Sequence, residues 1–175
     1  MRRRGVLGIL LGAGLTPGVP GATGGTAAET EIKAAMTFNF TKFIEWPGAK
    51  ADGPVVIGVA GDDGLRDALE ELSKSRAGGG RPVHVKKVEQ PGEAEACHLL
   101  FIGRGARKRT PEFVAASRRG TVTTGDADGF IKAGGAIGFI VVENKLRFEV
   151  NLAAANQAGV TISSRLLRLA TEVKP

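Results

Sequence analysis

Asp62 and Asp63 stand where an apolar run ends and a helical stretch begins. Paired carboxylates at the carboxyl end of a strand are what a phospho-receiver uses to hold magnesium and accept a phosphoryl group. A receiver also needs a further aspartate ending a later strand and a lysine ending the last one. That set is not spelled here, so the pair reads as the cap of the following helix. His84 and His98 are fourteen residues apart with no neighbouring His/Cys pair, which is not the spacing of a zinc site. Ser73, Ser75, Ser117, Ser163 and Ser164 lack the flanking glycines of a nucleophile elbow. Cys97 is the single cysteine, so an internal disulfide is impossible and the thiol reads as a small buried hydrophobe. The expectation is a chain with no catalytic residue, no metal site and no cofactor.

Recognition is the other chemistry to look for. Arg104, Arg107, Lys108 and Arg109 form a dense basic run that reads as a solvated loop, with acidic protein or lipid headgroups as the alternative ligand. Trp46, the one tryptophan, reads as a core or corner anchor. On a helical wheel Asn39 falls within the apolar face of its segment, where its amide needs an internal hydrogen-bonded lock. Phe38 falls off that face, so either a second surface covers it or it is left for a partner.

The elements that must position these residues follow from periodicity. Ile32, Ala35, Met36, Phe40 and Phe43 keep helical spacing, and Trp46-Pro47 ends the run. Pro54 to Ala60 reads as a strand covered on both faces, and Leu65 to Lys74 as a helix. Arg81 to Val88, Cys97 to Ile102 and Thr121 to Thr124 read as further strands. Pro111 to Arg118 reads as a helix with Thr110 as cap. Gly134-Gly135 marks a bend or a close approach. Ala136 to Val142 and Leu146 to Val150 read as an antiparallel hairpin around Glu143-Asn144-Lys145. Asn151 caps a helix stopped by Gly159, and Ser163 or Ser164 caps a final docked helix. The predicted fold class is α/β: one domain with a mixed, mostly parallel sheet, helices on both faces and a late antiparallel hairpin.

Arg2 to Arg4, an apolar stretch from Val6 to Leu15 and small residues ending at Thr26-Ala27-Ala28 have the layout of a secretory leader. About ten apolar residues are too few to span a bilayer, where about twenty are needed. Residues 1–28 are therefore expected to be a cleaved signal peptide and residues 29–175 a single periplasmic domain. The formal charge of +6 then drops to +3, because three of the 24 Lys and Arg lie in the leader. That weakens any case for nucleic acid as a partner.

Lys33-Ala34-Ala35, Phe38-Asn39-Phe40, Lys42-Phe43 and Glu45-Trp46-Pro47 resemble the opening signature of the YfiR family. The resemblance continues through Gly80-Arg81-Pro82-Val83, Cys97-His98-Leu99-Leu100-Phe101-Ile102 and Gly134-Gly135-Ala136-Ile137. It then runs from Arg147 to Leu152 and from Ile162 to Ala170. The resemblance implies a non-catalytic periplasmic repressor that binds the periplasmic domain of an inner-membrane diguanylate cyclase, restraining cyclic-di-GMP signalling and biofilm formation. Relatives carry disulfides that Cys97 cannot form. Phe38, Lys42, Arg147, Glu149 and Arg165 are the candidate partner contacts. Asn39, Trp46, Pro47, Gly135 and Asn151 form the structural part of the signature. The alternatives are an exported ligand-sensing domain serving a membrane histidine kinase or other receptor, and a homodimer is also open.

Overall fold

The computed structural model describes residues 23–48, 53–76, 81–117 and 120–175. In chain order these form α1 (Thr23–Phe40), β1 (Ile44–Glu45), β2 (Val55–Ala60), α2 (Asp63–Ser75), β3 (Val83–Lys87) and β4 (Leu99–Ile102). Then come α3 (Thr110–Ala116), β5 (Val122–Gly125), β6 (Ile137–Val142), β7 (Lys145–Asn151), α4 (Leu152–Gln157), β8 (Thr161–Ile162), α5 (Ser164–Leu167) and β9 (Glu172–Lys174). Short 3-10 helices at Pro91–Ala96 and Arg104–Arg109 flank β4. No helix among the described residues is long and apolar enough to cross a membrane.

Seven strands form one sheet in the order β3-β2-β4-β5-β6-β7-β9. The first five are parallel, β7 is antiparallel to β6, and β9 returns parallel to β7. The mixed, mostly parallel α/β class expected from the residue pattern is the class observed. Strand side chains alternate between two cores. Ile57, Leu99, Phe101, Ile137, Phe139, Phe148 and Val150 face the larger one with α1, α2 and α5. Leu100 and Ile102 face the smaller one, with Phe113 of α3 and Phe130. Phe40 locks α1 to the hairpin, stacking on Phe139 at 5.7 Å between centroids and meeting Phe148 edge-on at 5.1 Å.

Local signals set the connections. Asp62 caps α2 by accepting from Leu65 N at 2.9 Å. Asn151 caps α4 through Ala154 N at 3.1 Å, and Ser163 caps α5. Gly159 takes the left-handed φ of 70° that stops α4.

Five expectations need correcting. The first helix ends at Phe40, because Ile44–Glu45 leaves to pair with Thr161–Ile162 as a small antiparallel ribbon. Its buried face is also rotated: Lys33, Ala34, Thr37 and Phe38 turn inward while Ile32 stays 51% exposed. Polar Lys33 and Thr37 hide that face from an apolar periodicity. Thr110 is the first residue of α3 rather than its cap, and Arg104–Arg109 forms a 3-10 helix rather than a loop, although Arg104, Arg107 and Lys108 are solvent-exposed as expected. The chain ends not in a docked helix but in strand β9, held by Thr171 N to Phe148 O at 2.8 Å.

Candidate functional site

In this sheet order the winding reverses between β2 and β4, and ligands of open α/β sheets bind outside the carboxyl ends of strands at such a point. Here that point is closed. Gly105 N donates to Gly61 O at 3.1 Å and Gly103 N to Ala60 O at 2.8 Å. A Cβ on Gly61 would overlap Ala106, and one on Gly103 would press on Asp62. Backbone packed on backbone leaves no room for a ligand.

The open space lies one strand further along. Asp126 leaves β5 and is 8% exposed; Lys33 of α1 is 7% exposed and reaches its Oδ2 at 2.6 Å. Glu29 meets the same ammonium at 2.9 Å, and Arg104 approaches Asp126 at 3.6 Å. Burial disfavours the charged Lys33, but hydrogen bonds from its ammonium to Asp126 and Glu29 outweigh it and hold the pKa above the ordinary lysine value. The hydrogen bond from Lys33 holds Glu29 below the ordinary carboxylate value. Two clefts flank this network. One, of about 360 Å³, runs from Lys33 and Asp126 along Phe139, Ile140 and Val141 of β6 to Glu149. The other, of about 610 Å³, is walled by Arg104, Arg107, Lys108, Thr110 and Asp126. Asp126 Oδ1 and Thr110 Oγ1 are buried without a hydrogen-bond partner among the described residues.

The five contact candidates do not form one patch. Phe38 is 6% exposed, beneath the Arg76 guanidinium at 5.3 Å and the Lys42 ammonium at 5.9 Å, so it belongs to the core and is not a docking aromatic. The end of α2 covers the side that the wheel left bare. Lys42 is exposed after α1, and Arg165 is exposed on α5. Both elements pack on the Phe148 face of the sheet. Arg147 and Glu149 alternate with Phe148 and so lie on the opposite face. Arg147 is exposed, while Glu149 bonds Lys174 of β9 at 3.3 Å and lines the cleft of about 360 Å³.

The signature residues differ in their surroundings. Trp46 is 7% exposed and donates through Nε1 to His98 O at 3.1 Å; Pro47 is exposed beside it. Asn39 is half-buried, and its backbone carbonyl accepts from Lys42 N. Gly135 lies directly against the Phe130 ring, so a side chain there would overlap it. His98 Nδ1 accepts from Val56 N at 3.0 Å, and burial with the nearby Arg81 charge lowers its pKa. Burial raises the pKa of the Cys97 thiol. His84 is exposed on β3, Asp63 pairs with Arg66 at 2.7 Å, and no metal-holding group of three His, Cys, Asp or Glu occurs among the described residues.

Reasoning from residue types missed Lys33 and Asp126. A single lysine inside α1 and one of the two aspartates in Gly-Asp-Ala-Asp-Gly carry no spacing signal, because their contact spans 93 residues.

Solved structures similar to this fold include the following two. A conserved domain protein from Vibrio cholerae O1 biovar El Tor superposes with a TM-score of 0.54 and 16% identity, over 83% of this chain and 60% of that one. An ABC domain in complex with L-Trp from Streptococcus pneumoniae gives 0.53 and 12%, over 82% of this chain and 61% of that one. The chain thus spans about 60% of the length of each, and at these identities the likeness establishes the fold alone. None of the curated proteins matches the chain significantly. The sequence profile of the YfiR/HmsC-like family matches residues 30–171, from the first turns of α1 to the approach to β9. The chain belongs to the YfiR/HmsC-like family.

Proposed function

We propose that this protein is an exported, non-catalytic regulator that binds the periplasmic domain of an inner-membrane diguanylate cyclase and holds it in an inactive conformation. Cyclic-di-GMP synthesis, and with it biofilm formation, is restrained while the complex lasts. The observation that carries this reading is membership of the YfiR/HmsC-like family over residues 30–171. A binding protein of this kind acts through differential affinity: it shifts its partner toward the state it holds more tightly. The exposed charges at Lys42, Arg147 and Arg165 are available for such recognition.

Export proceeds through removal of residues 1–28, of which 1–22 lie outside the described residues. The processing point falls inside α1 and leaves Glu29 and Glu31 in the first turn of the shortened helix, where carboxylates favour the positive end of the helix dipole. In a strain lacking the gene, cyclic-di-GMP is expected to rise. The full-length chain should restore it, and a form lacking residues 1–28 should not. Equal rescue by both forms contradicts a periplasmic site of action.

A second reading is an exported ligand sensor acting with a membrane histidine kinase or other receptor. The cleft of about 610 Å³ supports it, because a polar ligand there would satisfy Thr110 Oγ1 and Asp126 Oδ1 beside three cations.

A further inference from the structure

The β6–β7 hairpin extends beyond the parallel strands. β5 pairs with β6 only as far as Gly125 opposite Gly138, whereas β6 stays paired with β7 to Val142 opposite Lys145. Glu143 and Asn144, at φ 49° and 57°, form a two-residue turn. The Val142–Lys145 pair that flanks such a turn exchanges both ladder hydrogen bonds, and bonded pairs alternate from there. Ile140 therefore turns its backbone groups to Arg147, while Phe139 and Val141 turn theirs away from β7. The bond from Asn151 N to Ala136 O at 2.8 Å fits the same alternation.

Beyond Gly125 no strand among the described residues pairs with that outward edge. The Phe139 carbonyl and both backbone groups of Val141 make no backbone hydrogen bond to a described residue outside the hairpin. Val141 is 60% exposed and Val142 40%. Alongside the edge runs the cleft of about 360 Å³, closed on its far side by Glu29, Lys33 and the Asp126–Phe130 turn.

We propose that this open edge takes an added strand from the partner: a short extended segment of the cyclase's periplasmic domain that continues the ladder where β5 stops. The inference rests on the regulator reading and names its docking mode. Unpaired N–H and C=O groups along a strand select extended polypeptide over any small anion or lipid. The free edge from Phe139 to Val142 spans about 13 Å at a rise of about 3.3 Å per residue, and with Glu29, Lys33 and Asp126 lining the same cleft it suits one short linear segment better than the folded edge of a second copy. Residues opposite Val141 would share the Leu146 face and favour apolar side chains, whereas residues opposite Ile140 would share the Arg147 face.

Val141→Pro removes the outward N–H without touching the ladder to β7, as proline is tolerated on a strand edge whose N–H faces away. Val141→Thr keeps the N–H and is the matched control. The probe is the purified periplasmic domain of the diguanylate cyclase from the same genome, titrated against the chain lacking residues 1–28. V141T is expected to bind as wild type does, and V141P at least about tenfold more weakly, with both melting like wild type. If wild type and V141P bind equally, the edge is not the docking site. If V141P instead abolishes a concentration-dependent dimer in sedimentation while cyclase binding persists, the occupant is a second copy and the inference is overturned. Absence of binding by wild type overturns the regulator reading and the edge with it.

Discussion

Lys33 and Asp126, 93 positions apart in the chain, meet at 2.6 Å, and their side chains are only 8% and 5% exposed. The pair ties α1 to the end of β5 and sets how the helix lies on the sheet. A buried charge that loses its partner is costly, so Lys33→Ala is expected to destabilise by about 3–5 kcal/mol. Replacing both residues with methionine should cost clearly less. Thermal or urea unfolding of the two variants measures the difference, and equal losses would mean that the pairing itself is unimportant.

His98 makes stability depend on pH. In the folded chain its Nδ1 accepts the Val56 N–H, and burial lowers its pKa below the ordinary value of about 6.5. The unfolded chain therefore binds the proton more readily than the folded one. The contribution of His98 is present above about pH 6.5 and is lost as the pH falls from there toward the lowered folded pKa. The melting temperature should decline over that range, and His98→Gln should flatten the decline.

Gly135 is held glycine by packing rather than by recognition. A methyl group there overlaps the Phe130 ring, so Gly135→Ala should cost about 1–3 kcal/mol through overpacking. Phe130→Leu in the same chain should recover part of the loss. Denaturant titration separates the three variants.

The charged contact candidates separate by their partners. Arg147 and Arg165 are exposed, so Arg147→Glu and Arg165→Glu should leave the melting temperature within about 2 °C of wild type, since surface changes usually stay within about 0.5 kcal/mol. Both should weaken binding to the cyclase domain. Glu149→Lys differs because it faces Lys174 at 3.3 Å and should also loosen β9. Hydrogen exchange at Glu172–Lys174 reports that loosening.

What was legible in the sequence was local. The strand before Asp62, the capped helix after it, the hairpin turning within Glu143-Asn144-Lys145 and the Asn151 cap each depend on residues a few positions apart, and the structure has them, with Lys145 already in β7. Pairings between distant segments were not legible. The ribbon of Ile44–Glu45 with Thr161–Ile162 and the return of β9 beside β7 involve two or three residues each, too few for a periodic pattern. The inward turn of Phe38 depends on where α2 lies, which the α1 sequence does not encode. The cleft has the same origin: Lys33, Asp126 and Val141 come from three separate segments, and each is unremarkable in its own neighbourhood.

Calorimetric titration of the chain lacking residues 1–28 with the purified periplasmic domain of the diguanylate cyclase from the same genome tests the central claim most directly. Saturable binding at a fixed stoichiometry is expected, together with lower cyclase activity when the chain is added to the outer face of vesicles carrying the intact enzyme. No heat of binding and an unchanged activity would contradict it.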